Sequence, residues 1–267
     1  MNRIEDSIAN KFGKTIWTKF RRGVRDYRLI SEGDRIAVCI SGGKDSMLMA
    51  QCINRLCRNR EIPFEAEFLI MDPGYSPEDL KKITDNAELL GIPARVWHTR
   101  IFESAEREEK HPCFLCARLR RGWLYKKAQE LGCNKIALGH HFDDVIETIL
   151  MGMLYGSQMQ TMLPRLKSEN YEGVEVIRPL YLVREADIIK WRDDNGLEFI
   201  QCACSVTKKK GDEGSKRAEI KTLIAKLKET NPAVEMNIFR SAENVNLRTL
   251  ISYHDGDRKH HFLDDLD

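Results

Sequence analysis

The sequence predicts an α/β fold: a parallel β-sheet with helices on both faces, extended by helices at its N- and C-terminal ends. Short β-branched or small-residue runs alternate with stretches whose apolar residues recur at helical spacing. Glycines stand where those helices should stop, at Gly91 and Gly132. A glycine turn, Ser41-Gly-Gly-Lys-Asp-Ser46, sits between the first strand and its helix. Strands separated by helices pair in parallel, and ligands then gather at the carboxyl ends of the strands.

Residues 1–33 read as a basic amphipathic helical region, with Phe12, Ile16, Phe20, Val24, Tyr27 and Ile30 at helical steps and a close at Glu32-Gly33. Strand Arg35–Ile40 leads into a helix over Ser46–Asn59. Strand Glu65–Met71 ends at Asp72-Pro73-Gly74, before a helix over Pro77–Leu90. Strand Ala94–His98 precedes a helix over Phe114–Leu131, and strand Lys135–Leu138 runs through Gly139-His-His-Phe-Asp-Asp144 into a helix over Val145–Tyr155. A last strand, Val174–Ile177, reaches Arg178-Pro179. Charged helix follows from Lys208, with Ile220, Leu223, Ile224 and Leu227 on one face, and a short helix over Pro232–Val245. The end of the chain carries His254, His260 and His261 among aspartates, with little apolar content, and is expected to be a flexible, solvated tail. The organisation is then a helical region (1–33), a nucleotide-binding domain carrying the cysteine site (34–207), a helical extension (208–252) and a tail (253–267).

The chain has 267 residues and a net charge of only +2, so any nucleic-acid role must rest on local patches. No apolar run approaches the roughly 18 residues of a membrane span. The first residues, Met1-Asn-Arg-Ile-Glu-Asp6, carry no charged-then-apolar leader, so a cytoplasmic location is expected. Eight cysteines in such a chain argue for thiols with individual roles rather than a disulfide scaffold. Cys39, Cys52, Cys57 and Cys133 lie in predicted strands and helices or at their ends, where a small apolar side chain suffices. Cys113 with Cys116, and Cys202 with Cys204, come as close pairs.

The glycine turn is a candidate phosphate site. Its backbone N–H groups would point at an anion on the helix N-terminus. The Walker pattern fails, because Asp45 follows Gly43-Lys44 and no glycine stands five positions before Gly43. The dinucleotide fingerprint fails too, because Gly42 and Gly43 are adjacent. A ligand-free tight turn is the plain alternative, but it needs neither two glycines nor the acid. The topology gathers Ser41–Ser46, Asp72 and Gly139–Asp144 around one crevice, where the acidic residues could hold magnesium.

A lone Cys-x-x-Cys could be a redox pair, half a zinc site or part of an iron–sulfur site. Cys202-Ala-Cys204 is awkward for a zinc knuckle, and three thiolates suit an iron–sulfur cluster with one open iron; zinc stays open. The helix after Cys116 carries Arg118, Arg120, Arg121, Lys126 and Lys127 among Trp123 and Tyr125. Those cations are either a solvated face or contacts to a nucleic-acid backbone.

Ile40-Ser-Gly-Gly-Lys-Asp-Ser46 resembles the PP-loop of N-type ATP pyrophosphatases, a Rossmann-like class of ATPases. Cys113-x-x-Cys-x-Arg-Leu-Arg-Arg-Gly122, Lys135-Ile-Ala-Leu-Gly-His-His-x-Asp-Asp144 and Ile177-Arg-Pro-Leu180 resemble the tRNA 2-thiocytidine synthetase (TtcA) family in order and spacing. The resemblance covers about residues 20–245. It implies adenylation of the carbonyl oxygen of an anticodon-loop cytidine by ATP, then displacement of AMP by sulfur. It further implies Mg2+, a 4Fe-4S cluster, a homodimer and sulfur from a cysteine desulfurase or other sulfide donor. By position, Ser41, Gly42, Gly43, Lys44, Asp45 and Ser46 would hold pyrophosphate, with Asp72 and Gly139 beside the ATP. Asp45 or Asp144 would reach magnesium. Cys113, Cys116 and Cys202 would hold the cluster, Cys204 being a further candidate, and Arg118, Arg120 and Arg121 would meet tRNA. The second cysteine pair departs from the family's usual Cys-x-x-Cys, which puts the tRNA substrate in question more than the chemistry. A lysidine synthetase-like ligase or a 2-thiouridine-forming enzyme are the neighbouring alternatives, and a non-catalytic tRNA-binding or iron-storage accessory is the remaining one.

Overall fold

A computed structural model describes residues 3–108, 112–200 and 215–266. The strands of the main sheet are β1 (Arg35–Ile40), β2 (Glu65–Asp72), β3 (Ala94–His98), β4 (Lys135–Ala137), β5 (Arg165–Lys167) and β6 (Glu175–Ile177). They lie in the order β3-β2-β1-β4-β6-β5, parallel except for β5, which runs antiparallel to β6 at the edge. The expected parallel sheet is present with its expected strands. The short strand β5 was not expected, because three residues give no periodicity to read. Arg165 ties it to β6 by hydrogen bonds of 2.7 and 3.0 Å to Glu175.

The helices around this sheet are α1 (Arg3–Ala9), α2 (Thr18–Asp26), α3 (Lys44–Asn59), α4 (Pro77–Leu89), α5 (Ile101–Glu106), α6 (Pro112–Glu130), α7 (Phe142–Gly156) and α8 (Glu185–Asp194). Between α1 and α2 the chain makes a π-helical turn, Gly13–Trp17. Helices α5 and α8 were not anticipated. In α8 only Ile188 and Trp191 are buried among charged residues, too few to mark a helical stripe.

Alternation along the strands assigns the two faces. Ile36, Val38 and Ile40 of β1 and Phe68 and Ile70 of β2 point to a core shared with α2, α3 and α8. Phe12, Ile16, Phe20 and Val24 are part of that core, so the N-terminal helices are integral to the sheet's packing. Burying side chains of this size stabilises the fold by about 1.5–3 kcal/mol each. On the opposite face Ala37, Leu69 and Ile136 pack with Ala128 of α6, Cys133 and Val174, and Cys39, Trp97, Tyr125 and Tyr171 close this smaller core. The small residues Ala37 and Cys39 let α6 lie close to β1.

The chain divides into two compact units, Met1–Val145 with Leu163–Ser215, and Ile146–Met162 with Lys216–Asp267. Within the second, buried Glu147 accepts from Arg217 at 3.0 Å and lies 3.7 Å from Lys221. The segment expected to be a flexible tail forms an antiparallel hairpin, Ser252–Asp255 paired with Arg258–His261, turning at Gly256 with φ +58°. Its polar sequence hid it: the pairing uses backbone hydrogen bonds, with Tyr253 and His260 stacked at 4.7 Å, and needs no apolar face.

A buried ion pair fastens the base of the sheet. Lys135 of β4 donates to Asp34 at 2.6 Å and to the Leu29 carbonyl at 3.0 Å, and Asn134 donates to Asp34 at 2.8 Å. Burial opposes ionisation of Asp34, but the hydrogen bonds from Lys135, Asn134 and the Ser31 N–H outweigh it and hold its pKa below the usual aspartate value. Lys135→Met strips this carboxylate of its main partner, so urea unfolding should show a loss of about 3–5 kcal/mol. Because the Asp34 pKa is depressed on folding, its contribution is complete above the ordinary aspartate pKa and fades as pH falls below about 4. The wild type should therefore lose more stability on acidification than the Lys135→Met variant.

Candidate functional site

Strand β1 ends at Ile40 and the chain turns at Gly42, φ +86°, into the first turn of α3. Lys44, Asp45 and Ser46 thus belong to the helix, which begins earlier than expected. Gly43 stands at its N-cap position, and no side chain caps it. The first N–H groups of α3 are therefore available to an external acceptor. Ser46 braces the turn: its hydroxyl accepts from the Ser41 N–H and the Ser41 hydroxyl, each at 3.1 Å, and donates to the Gly43 carbonyl at 3.0 Å. A Cβ on Gly42 would lie 2.5 Å from Ile83 and 2.8 Å from Ile200, so side chains of α4 and of the segment after α8 press on the loop. Tyr75 donates its hydroxyl to the Ser41 carbonyl at 3.3 Å.

Opposite the loop, β4 delivers Gly139. A Cβ there would lie 3.0 Å from the Ser46 backbone, tighter than ordinary contact, so a side chain would require the two connections to move apart by a few tenths of an ångström. The space between them is a cavity of about 360 Å³ whose lining includes Ser41, Gly43, Asp45, Ser46, Gly139 and Asp144. Of the residues expected in the phosphate site, Gly42 makes the turn without lining the cavity, Lys44 turns to Asp45 and Glu185 beside it, and Asp72 lies elsewhere. That carboxylate accepts the Gly74 and Tyr75 N–H groups at 2.9 and 2.7 Å and pairs with His98 at 2.8 Å. Burial alone would raise its pKa, but these donors hold it below the usual carboxylate range. Asp72 locks the turn after β2 and does not line the cavity.

Asp45, Asp143, Asp144, His141, Lys44 and Glu185 form one charged group beside the loop. Lys44 reaches Asp45 at 3.0 Å and Glu185 at 2.9 Å. Burial opposes its charge, yet the two carboxylates outweigh that and raise its pKa. The buried His141 ring accepts from the Asp144 N–H at 3.3 Å through Nδ1, while Asp144 accepts from the His141 N–H at 3.0 Å. The Nε2 of His141 then faces Asp45 and Glu185, at 3.7 and 3.9 Å. Asp143 takes the other course: it pairs with Arg184 at 3.0 Å and accepts the Glu185 N–H at 2.7 Å, tying α7 to α8. Asp45 Oδ1 is buried without a hydrogen-bond partner. That orphaned oxygen, with Asp144 on the same cavity wall, fits a divalent cation, and the uncapped helix end fits the phosphates beside it.

Sequence reading missed Glu185, and it placed His141 in the crevice only as part of Gly139–Asp144, with no role of its own. The available signal was the charged pair Arg184-Glu185 directly after the apolar run Leu180–Val183, and a histidine two residues after Gly139. Arg120 also takes a different place from its neighbours. With Leu124 it lines the nucleotide cavity, whereas Arg118 and Arg121 line another cavity on the other side of α6.

Cys116 is half-buried on α6, one turn before Arg120, so the two share a helical stripe. Cys113 lies in the first turn of the same helix. Cys202 and Cys204 lie outside the described residues. Ile200, two residues earlier in the sequence, is the side chain that presses on Gly42. The paired-cysteine helix therefore flanks the nucleotide cavity, which fits an iron–sulfur group beside it. The remaining thiols behave as expected of packing residues. Burial pushes Cys39 up to about 12 and Cys133 up to about 11, and raises Cys52 and Cys57 as well.

A parallel sheet that presents Ser-Gly-Gly-Lys-Asp-Ser on an uncapped helix N-terminus, with acids across the crevice, defines a nucleotide site of the PP-loop class. A model of the PP-loop domain family matches residues 13–209. The tRNA-cytidine(32) 2-sulfurtransferase of Geobacter sulfurreducens is 37% identical over 248 residues, 91% of this chain and 95% of that protein. That of Vibrio cholerae is 38% identical over 243 residues, 88% of this chain and 76% of that one. Among solved structures, the U34-tRNA thiolase NcsA from Methanococcus maripaludis with its [4Fe-4S] cluster shares the fold, with a TM-score of 0.66 and 22% identity over 85% of this chain and 77% of that chain. The chain belongs to the PP-loop family, within its tRNA-cytidine(32) 2-sulfurtransferase branch.

Gly139→Ala should force β4 and α3 apart. Calorimetric titration with a non-hydrolysable ATP analogue is expected to show affinity lowered about tenfold or more, the cost of a backbone overlap at a site. In native protein near neutral pH, iodoacetamide should leave Cys39, Cys52 and Cys133 unmodified, and unfolding should expose all of them, as read by peptide mass spectrometry.

Proposed function

We propose that this chain is an ATP-dependent tRNA thiolase that converts cytidine 32 of the anticodon loop to 2-thiocytidine. The observation that carries the reading is the convergence on one cavity of the phosphate loop, an orphaned Asp45 oxygen and the helix bearing Cys113 and Cys116. ATP binds with its β- and γ-phosphates on the N-terminus of α3. Lys44 exchanges its carboxylate partners for phosphate, and Asp45 and Asp144 would hold Mg2+, which would offset the charge of the phosphates. The base carbonyl oxygen attacks the α-phosphorus and pyrophosphate leaves. Charge that develops on the departing phosphates meets fixed N–H groups, the Lys44 ammonium and the Arg120 guanidinium on the cavity wall. Sulfide then adds to the activated carbon, and AMP departs with the former carbonyl oxygen. When bound by Cys113, Cys116 and Cys202, a 4Fe-4S cluster supplies an iron with no protein thiolate at which sulfide can be held.

The sulfur comes from a cysteine desulfurase or another sulfide donor, and the working form is a homodimer. No helix among the described residues is long and apolar enough to cross a membrane. Mass spectrometry of tRNA nucleosides from a deletion strain and its parent tests the reading. The expected result is selective loss of 2-thiocytidine, restored by the intact gene and by neither Cys116→Ala nor Asp45→Ala. Loss of a different thionucleoside would move the substrate while keeping the chemistry, and an unchanged thionucleoside profile would overturn tRNA thiolation.

A further inference from the structure

On the side of α6 away from the nucleotide cavity lies a larger cavity, about 950 Å³, walled by α6 and by the turn between β5 and β6. Arg118, Arg121, Lys126 and Lys167 line it against a single carboxylate, Glu169. Several surface cations elsewhere on the first unit are matched, such as Arg21 with Glu61, Lys82 with Glu198 and Arg107 with Glu103. Arg118, Arg121 and Lys167 have no ion pair among the described residues, and Lys126 interacts with Glu130 one turn along the helix. A net charge of +2 thus conceals one face on which four cations meet a single lining carboxylate. Trp123, half-buried, presents an aromatic ring to the same space. The groove is preformed. Tyr171 of the turn stacks on Tyr125 of α6 at 4.7 Å and 12°, and its hydroxyl donates to the Gly122 carbonyl at 3.5 Å.

We infer that this groove binds the single-stranded RNA flanking the target base, with phosphates on Arg118, Arg121, Lys126 and Lys167 and an unstacked base against Trp123. The inference rests on the tRNA-thiolase reading and specifies which RNA form is taken and where. Unpaired cations give backbone affinity through counterion release. An aromatic ring among them recognises a base only when that base is free of its own stack, the condition of a loop and not of a duplex. Helix α6 is the shared wall: Arg118 and Arg121 face the groove, while Arg120 and Leu124 face the nucleotide cavity. A base extruded from a strand in the groove has to cross only the width of one helix, about 10 Å, to reach ATP.

The test uses the full chain and a synthetic anticodon stem-loop RNA, with a fully paired RNA of equal length as control, in fluorescence anisotropy over a salt series. Arg121→Ala with Lys167→Ala should weaken stem-loop binding about tenfold and reduce the slope of log affinity against log salt by about 1.4, roughly 0.7 for each lost single-strand contact. Trp123→Ala should weaken stem-loop binding roughly tenfold and leave duplex binding unchanged, and Trp123→Phe should recover most of the loss. Binding of an ATP analogue should be unaltered in every variant, which reports an intact fold. Wild-type affinity and salt slope in the double variant would overturn the inference, as would an equal loss on stem-loop and duplex in Trp123→Ala. Variants that bind RNA normally but no longer accept sulfur from a desulfurase would also overturn it, in favour of a protein partner on this face. A wild-type chain that binds no stem-loop RNA and thiolates no tRNA would instead refute the tRNA-thiolase reading itself.

Discussion

The structure depends on one close approach, that of Gly139 to the first turn of α3. Strand order reverses between β1 and β4, so the connections leaving their carboxyl ends diverge and open a crevice. The crevice is useful only if its floor is narrow, and the floor is Gly139 lying against the Ser46 backbone. Everything that shapes the nucleotide cavity follows from that contact. It brings α7, with His141 and Asp144, level with Lys44 and Asp45. Through Asp143 and Arg184 it also fixes the start of α8 and hence Glu185.

The charges beside the loop are arranged for exchange rather than for rigidity. Lys44 is held by two carboxylates in a partly dry site, which keeps its ammonium charged and fixes its direction. A polyphosphate carries more negative charge than Asp45 and Glu185 can offer and binds the helix N–H groups as well. It can therefore take the lysine from them. Asp45, with one oxygen already lacking a hydrogen bond, is left with both oxygens open to a cation.

Helix α6 joins the chemistry of the two cavities. Small residues on the facing side of β1 let it pack closely, which is why Cys39 is inert yet lies in the wall of the nucleotide cavity. One stripe of the helix carries Cys116, Arg120 and Leu124, and a neighbouring stripe carries Arg118 and Arg121. A residue difference of one or two positions decides whether a cation meets nucleotide or faces the outer groove, since each step turns about 100° around the axis.

The main strands of the parallel sheet were legible in the sequence because each is a run of buried, small or β-branched residues bounded by glycine or proline, and burial on both faces leaves that mark. The phosphate loop was legible because a helix N-terminus built on two adjacent glycines has few other uses. Elements held by backbone pairing or by a few contacts, such as β5, α8 and the hairpin at Ser252–His261, left no such mark and came only from the structure. The roles of individual polar residues were decided there as well. Asp72 looked like a metal-binding acid, yet it locks a turn; Glu185 carried no motif, yet it holds Lys44. Sequence alone determined which chemistry this chain carries, since residue types and local spacing are written along it. Only the tertiary structure decided which oxygen, ammonium and guanidinium meet, because those encounters join distant positions, Lys44 and Glu185 being 141 residues apart, and depend on how the sheet brings its strand ends together.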